Sequence, residues 1–146
     1  MLTVAIEGGR LRQVLFAFSL ALAGPAYAAQ SGLTTINLRT CVDGGDGACL
    51  TVGDVAVDGV QVCLRQPGEA EHCYGTEDGE AWVDSLPQRS YWARVEVPSG
   101  YQLGGSTCTT YPDIPYSPCR STGSAVYFAV RPDTNAVNVS FLLIPD

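Results

Sequence analysis

The chain has 146 residues, with 8 Lys plus Arg against 15 Asp plus Glu and a formal net charge of −7. This acidity argues against nucleic acids and anionic membranes as partners, because both are bound through patches of Lys and Arg. The 16 Gly and 9 Pro favour short strands joined by turns over a helical bundle. Lysine is absent from the whole sequence.

The first 28 residues have the pattern of a cleaved signal peptide. Arg10 and Arg12 precede an apolar run over 14–23, and Ala26-Tyr27-Ala28 is a small-x-small cleavage pattern. The run is too short to span a hydrocarbon core of about 30 Å, so we expect no membrane insertion of the mature chain. Residues 29–146 are expected to form one secreted domain of about 118 residues.

The cysteine pattern predicts three structural disulfides. An even number of cysteines behind an export signal is typical of a disulfide framework, and six cysteines allow fifteen pairings. We expect the sequential pairing, because it closes three short loops next to predicted strand ends. A zinc site is disfavoured, since there is no C-x-x-C pair and His72 is the only histidine. The expected pairs are Cys41–Cys49, Cys63–Cys73 and Cys108–Cys119.

Alternating apolar and polar residues predict strands throughout the mature chain, with no sustained helical period. A hairpin centred on Gly68 would place Cys63 opposite Cys73. Residues 102–123 show no alternation, so an irregular, disulfide-bounded loop is expected there. About seven short strands with frequent turns predict an all-β fold, an antiparallel β-sandwich. The predicted strands are 33–41, 60–65, 72–74, 80–84, 90–97, 125–131 and 137–144.

Three segments resemble the Cna B-type or SpaA-like domains of bacterial surface proteins. The resemblance begins at Gly59-Val60-Gln61-Val62-Cys63-Leu64, strengthens at the Thr76-Glu77-Asp78-Gly79 turn and its strand, and continues to Pro98-Ser99-Gly100-Tyr101. It implies a prealbumin-like β-sandwich in a cell-surface context. Transthyretin-like and carboxypeptidase-regulatory sandwiches would give a similar pattern.

Many domains of that family form an amide bond between a Lys on the first strand and an Asn on the last, assisted by a buried Glu. The matching position for the Glu here is Arg94, and no Lys is present, although Asn138 lies on the predicted last strand. Without a lysine amine this bond cannot form. Disulfides are then expected to take over the cross-linking role.

Two tryptophans form the main candidate binding site. A hairpin folded about Pro87 would oppose Trp82 to Trp92, Glu80 to Arg94 and Asp84 to Ser90. Such an aromatic platform beside an acid–base pair could stack on a sugar ring or anchor a protein partner. The alternative is that the 108–119 loop, with Tyr111 and Tyr116, covers both rings as a second small core.

Metal and catalytic chemistry have weaker candidates. Asp43, Asp46 and Asp54 surround a Gly-rich turn and could hold calcium, but the spacing departs from an EF-hand and equally suits an acidic solvated turn. His72 adjoins Cys73, which is expected to be oxidised and therefore no nucleophile. Carboxylates such as Asp84 and Glu96 could be paired for glycoside hydrolysis, yet no deep cleft is indicated. No enzyme activity and no cofactor are expected.

The function predicted from sequence is a secreted, non-catalytic structural or interaction module at or outside the bacterial cell surface. A protein or a glycan is the expected partner. The alternative is a small ligand-binding or inhibitory domain that uses an exposed Trp82/Trp92 face.

Overall fold

The computed structural model describes residues 34–84, 86–112 and 119–146, which are built from strands and loops without a helix. The all-β prediction is confirmed, with ten strands rather than about seven. Nothing in these residues is a helix able to cross a membrane. The strands are β1 (Thr35–Val42), β2 (Val55–Ala56), β3 (Gln61–Arg65), β4 (His72–Gly75), β5 (Glu80–Val83), β6 (Ser90–Glu96), β7 (Tyr101–Tyr111), β8 (Cys119–Ser121), β9 (Ala125–Ala129) and β10 (Ala136–Pro145).

The strands form two five-stranded sheets. Sheet I has the order β2-β1-β10-β7, with β5 also paired to β1, and sheet II has the order β4-β3-β6-β9-β8. All pairs are antiparallel except β1 with β10, which run parallel from Thr35↔Ala136 to Cys41↔Leu142. A parallel pair needs a long crossover connection, and the chain from β2 to β9 supplies it.

One apolar core lies between the sheets, filled by alternate residues of the strands. The alternation predicted over 90–97 is confirmed within β6, where Tyr91, Ala93 and Val95 are buried and Trp92 and Arg94 are exposed. Beneath sheet II, Tyr91 stacks on Phe128 with ring centroids 5.4 Å apart. Sheet I contributes Ile36 and Leu38 from β1 and Val137, Val139 and Phe141 from β10.

The buried phenol of Tyr91 has a hydrogen-bond partner. Its hydroxyl donates to the Pro87 carbonyl at 2.7 Å, and burial raises the pKa of the phenol. The neutral, hydrogen-bonded form is therefore the one that the core accommodates.

The three disulfides have the predicted sequential pairing, Cys41–Cys49, Cys63–Cys73 and Cys108–Cys119. The hairpin centred on Gly68 is also confirmed, because Cys63 on β3 lies opposite Cys73 on β4. Cys108 on β7 and Cys119 on β8 belong to different sheets, so this bridge joins one edge of sheet I to one edge of sheet II. Three disulfides indicate folding in an oxidising, non-cytoplasmic environment.

The prediction of an irregular loop over 102–123 is wrong for most of its length. Residues 101–111 form β7, which pairs with β10 along its length, and residues 119–121 form β8. The register with β10 shifts between Leu142 and Leu143, opposite the Gly104-Gly105 pair. Most β7 side chains are half-exposed or exposed on both faces, so backbone pairing holds the strand and no apolar alternation reveals it.

Candidate functional site

The predicted hairpin about Pro87 is wrong, and the two tryptophans lie in different sheets. β5 pairs with β1 in sheet I, where Trp82 opposes Asn37, whereas β6 pairs with β3 and β9 in sheet II. The chain crosses between the sheets after β5 instead of turning back beside it. A hairpin and a crossover both give inward apolar alternation, so the pattern could not separate them.

Both indoles are nevertheless exposed, Trp82 at 59% and Trp92 at 39% of their surface. Coverage of the rings by the 108–119 loop stays a prediction, because residues 113–118 lie outside the described residues. Tyr111 is exposed at the end of β7, opposite Ala136 of sheet I. Tyr116 lies outside the described residues. The structure thus offers two separate aromatic faces in place of one platform.

On the outer face of sheet I, the polar neighbours of Trp82 bind one another. Asn37, 1% exposed, donates from Nδ2 to Glu80 Oε1 at 3.1 Å, and Arg39 Nε lies 3.3 Å from the same oxygen. The Arg39–Glu80 contact is an ion pair whose geometry makes no hydrogen bond. Arg39 Nε therefore lacks a hydrogen-bond partner among the described residues, and Asn37 Oδ1 lacks one as well. Glu80 therefore pairs with Arg39 and not with Arg94 as predicted.

The other predicted pair is also absent. Asp84 Oδ1 accepts a hydrogen bond from Thr35 Oγ1 at 3.0 Å, while Ser90 Oγ accepts one from Tyr127 at 2.9 Å. Asp84 thus belongs to the first sheet and Ser90 to the second. The two carboxylates considered for glycoside hydrolysis are likewise on different sheets, since Asp84 follows β5 of sheet I and Glu96 is the last residue of β6 in sheet II.

On the outer face of sheet II, four residues stand in one register across four neighbouring strands. Arg65 opposes Trp92, Trp92 opposes Tyr127, and Tyr127 opposes Arg120. We call these four residues the Arg–aromatic row. The Trp92 and Tyr127 rings are 4.9 Å apart and tilted by 58°, and the Tyr127 hydroxyl donates to Ser90. The two rings are thus held by each other and by the Ser90 hydroxyl.

Beside the Arg–aromatic row, Arg94 pairs with two glutamates. Arg94 donates from Nε to Glu71 Oε2 at 2.9 Å and from Nη2 to Glu96 Oε1 at 3.2 Å, with a further contact to Glu71. The hydrogen bond from Arg94 lowers the pKa of Glu71, and the same bond raises the pKa of Arg94. Arg94 is opposite Cys63, so this ionic group lies beside the Cys63–Cys73 bridge.

The three aspartates of the candidate calcium site do come together, with carboxylate oxygens within 4.8 Å of one another. Asp43 Oδ1 accepts from the Gly45 amide at 2.9 Å and Asp54 Oδ1 from the Gly44 amide at 2.7 Å. Thr51 donates to Asp46 from its hydroxyl and to Asp54 from its amide, and these bonds are the main causes of the lowered pKa of each. The carboxylates thus act as acceptors that shape the loop, and calcium binding stays a prediction.

A further feature escaped the sequence pattern, an open cleft of about 620 Å³ between β4 and β5. These strands are edges of sheet II and sheet I respectively. Tyr74 and Trp82 contribute aromatic surface, and Glu77, Asp78 and Glu80 make the lining acidic. The cleft depends on two edges from different sheets meeting, which no local signal encodes.

No protein-family model matches this chain, and a search of curated proteins also finds no match.

Proposed function

We propose that this chain is a secreted, non-catalytic interaction module that binds a glycan or protein partner at or outside the bacterial cell surface. The observation that carries the proposal is the exposure of Trp82 and Trp92 on the outer faces of a well-packed disulfide-bonded domain. Tryptophan is enriched at interfaces because it combines a large apolar surface with a polar N–H group. Tryptophan is also enriched among residues that dominate binding energy.

Two further features support a binding role over a catalytic one. Cys73 is in a disulfide, which removes the thiolate that an adjacent His72 would activate. The carboxylates of the acidic loop accept backbone and hydroxyl hydrogen bonds within that loop, which assigns them a structural role.

The proposal includes the Cna B-like or SpaA-like, prealbumin-like fold and export through residues 1–28. The neighbouring first and last strands support the fold, with Asn138 directly opposite Asn37. This is where the family places its amide cross-link, a bond that a chain without lysine cannot form. The three disulfides supply braces of that kind and support the export route.

A second candidate function is a small ligand-binding or inhibitory domain. The cleft between β4 and β5 favours it, because Trp82 lies beside three carboxylates in an open space of about 620 Å³. Such a lining suits a cationic segment, which an aromatic face and carboxylates would both attract.

The test is to express the full-length chain for export and to screen it on glycan arrays and on panels of immobilised extracellular proteins. W82A and W92A are compared with the parent, and each serves as the matched control for the other. We expect one substitution to weaken binding by roughly tenfold or more, the loss of a strong anchor residue, and the other to leave it unchanged. Binding that survives both substitutions, or turnover of any panel polymer, would contradict the proposal.

A further inference from the structure

We propose that the Arg–aromatic row of sheet II is a binding strip for acidic polysaccharides, those whose sugars carry carboxylates. This inference rests on the proposed function, since it names the ligand class that one face of the module takes. It concerns Arg65, Trp92, Tyr127 and Arg120 and leaves the Trp82 face aside.

The four residues occupy consecutive strands in direct register, in the order β3, β6, β9, β8. Neighbouring strands are about 4.8 Å apart, so the two arginine backbones lie roughly 14 Å apart with both rings between them. A chain molecule lying across the strands would meet a cation, two rings and a second cation in sequence.

The arginines of this protein differ in whether they form ion pairs. Arg39, Arg89 and Arg94 form ion pairs with glutamates. Arg65 and Arg120 are exposed and form none within the part of the chain that the structure describes. Among the described residues, two guanidinium groups without an ion pair thus flank one aromatic pair in a protein whose net charge is −7. Arg65 also adds to Arg94 in lowering the pKa of Glu71, so the Arg65 end of the row lies near one carboxylate. A guanidinium presents a planar fork of donors that matches a carboxylate.

The apolar faces of the two rings match the C–H face of a sugar. A uronic acid residue has an apolar C–H face and a carboxylate at its edge. Trp92, which is 39% exposed, and its partner ring offer apolar faces of the kind that bury such surface. Each ring is held in place, Trp92 by its contact with Tyr127 and Tyr127 by its hydrogen bond to Ser90. Little side-chain freedom would then be lost on binding.

Charge also argues against other anions on this strip. Nucleic acid is held by many cationic contacts along a dense row of phosphates, and here only two cations meet the ligand. An acidic peptide would satisfy the arginines but has no apolar ring faces for Trp92 and Tyr127. Glu71 and Glu96, which pair with Arg94, border the strip, so a polyanion is favoured along the strip and disfavoured over these carboxylates.

The test uses the exported full-length chain and isothermal titration with a hexamer of galacturonic acid, with cellohexaose as the neutral probe of equal length. R65Q and R120Q each remove one cation from the strip, and R131Q removes an exposed arginine elsewhere as the matched control. Melting temperature and intact mass confirm that each variant is folded with its disulfides.

We expect the oligogalacturonate to bind, the neutral hexamer to bind much more weakly, and added salt to weaken binding. Each strip substitution should weaken binding by roughly tenfold, the loss of a hydrogen bond to a charged group, while R131Q should leave it within about twofold. W92A should abolish it.

Three results would overturn the inference. They are equal binding of the two hexamers, equal loss in R131Q and in the strip variants, and tighter binding of a hexaglutamate peptide with the same arginine dependence. Loss of array binding in W82A or W92A with no response to the oligogalacturonate would overturn the inference alone and leave the proposed function standing. Array binding unaffected by either tryptophan would overturn the proposed function.

Discussion

The outer faces of the two sheets each carry one exposed tryptophan, yet their surroundings differ. Around Trp82 on sheet I, the polar groups are bound to one another through Glu80. Around Trp92 on sheet II, a second ring lies alongside, and the row ends in two arginines that form no ion pair with any described residue. The more exposed indole thus lies beside polar groups that are paired through Glu80. Exposure makes both faces candidates for binding, and the arginines beside Trp92 distinguish the second face.

The largest expected effect comes from removing the disulfide that links the two sheets. Cys108–Cys119 joins the edges of the two sheets, so the C108S/C119S double substitution releases them. By the chain-entropy argument, a loop of this length contributes about 2–3 kcal/mol of stability. We expect that decrease in the free energy of unfolding, measured by urea denaturation.

A comparison sharpens this prediction. Because Cys63–Cys73 lies within sheet II, C63S/C73S should lower the free energy of unfolding while the Cys108–Cys119 bridge still joins the two sheets. If C108S/C119S and the parent have the same free energy of unfolding, the bridge between the sheets contributes no stability.

The second prediction compares the ionic groups of the two faces. E80A removes the acceptor of the buried Asn37 amide and the counter-ion of Arg39, and should cost about 1–2 kcal/mol because a buried donor loses its partner. E71A removes a partner of Arg94, whose side chain is 44% exposed, and should cost less than about 1 kcal/mol. Thermal unfolding of both variants checks the order, and a larger loss in E71A would contradict it.

The third prediction concerns acid. The pKa of Asp46 and that of Asp54 lie below the ordinary 3.8 because of hydrogen bonds from Thr51. A lowered pKa in the folded state means that these carboxylates stabilise the fold above their unfolded pKa, and that this contribution is lost as the pH falls through the folded pKa. We expect the melting temperature to decrease as the pH falls below about 4.

The D46N/D54N variant gives the control for this acid effect. Its melting temperature should be lower at neutral pH and should fall less on acidification than that of the parent. The remaining decrease should include Glu71, whose pKa is lowered by Arg94. An unchanged acid response in D46N/D54N would show that the loop carboxylates do not contribute.

The smallest expected effect is optical. W92F leaves only Trp82, which is 59% exposed, and W82F leaves only Trp92, which is 39% exposed and partly covered by Tyr127. Acrylamide should therefore quench the fluorescence of Trp82 more strongly. Two equally shielded, blue-shifted indoles would contradict both the exposures and the binding role assigned to these faces.

Several elements could be predicted because their signals are local. The hairpin of β3 and β4 follows from alternation on both sides of a Pro-Gly turn, and its geometry set Cys63 opposite Cys73. The other two pairings were also found as predicted, since each joins near neighbours in sequence. The inward residues of β6 were correct for the same reason.

Other elements could not be predicted because their partners are distant. β7 has few core residues, and pairing with β10 holds it. The crossover between Trp82 and Trp92 has the same alternation as a hairpin, so the platform was placed on the wrong pairing. Arg65, Tyr127 and Arg120 carry no signal of their own, and they meet Trp92 only through three successive strand registers.

By itself, the sequence determined the all-β class, the acidic balance, the absence of lysine and the disulfide pairing. These properties depend on composition and on residues close together in the chain. The tertiary structure alone decided which strands share a sheet, and hence that the tryptophans face opposite sides with different neighbours. The reason is physical: a strand's alternation specifies which side chains point inward, whereas its neighbours are chosen by backbone hydrogen bonds that every residue can make.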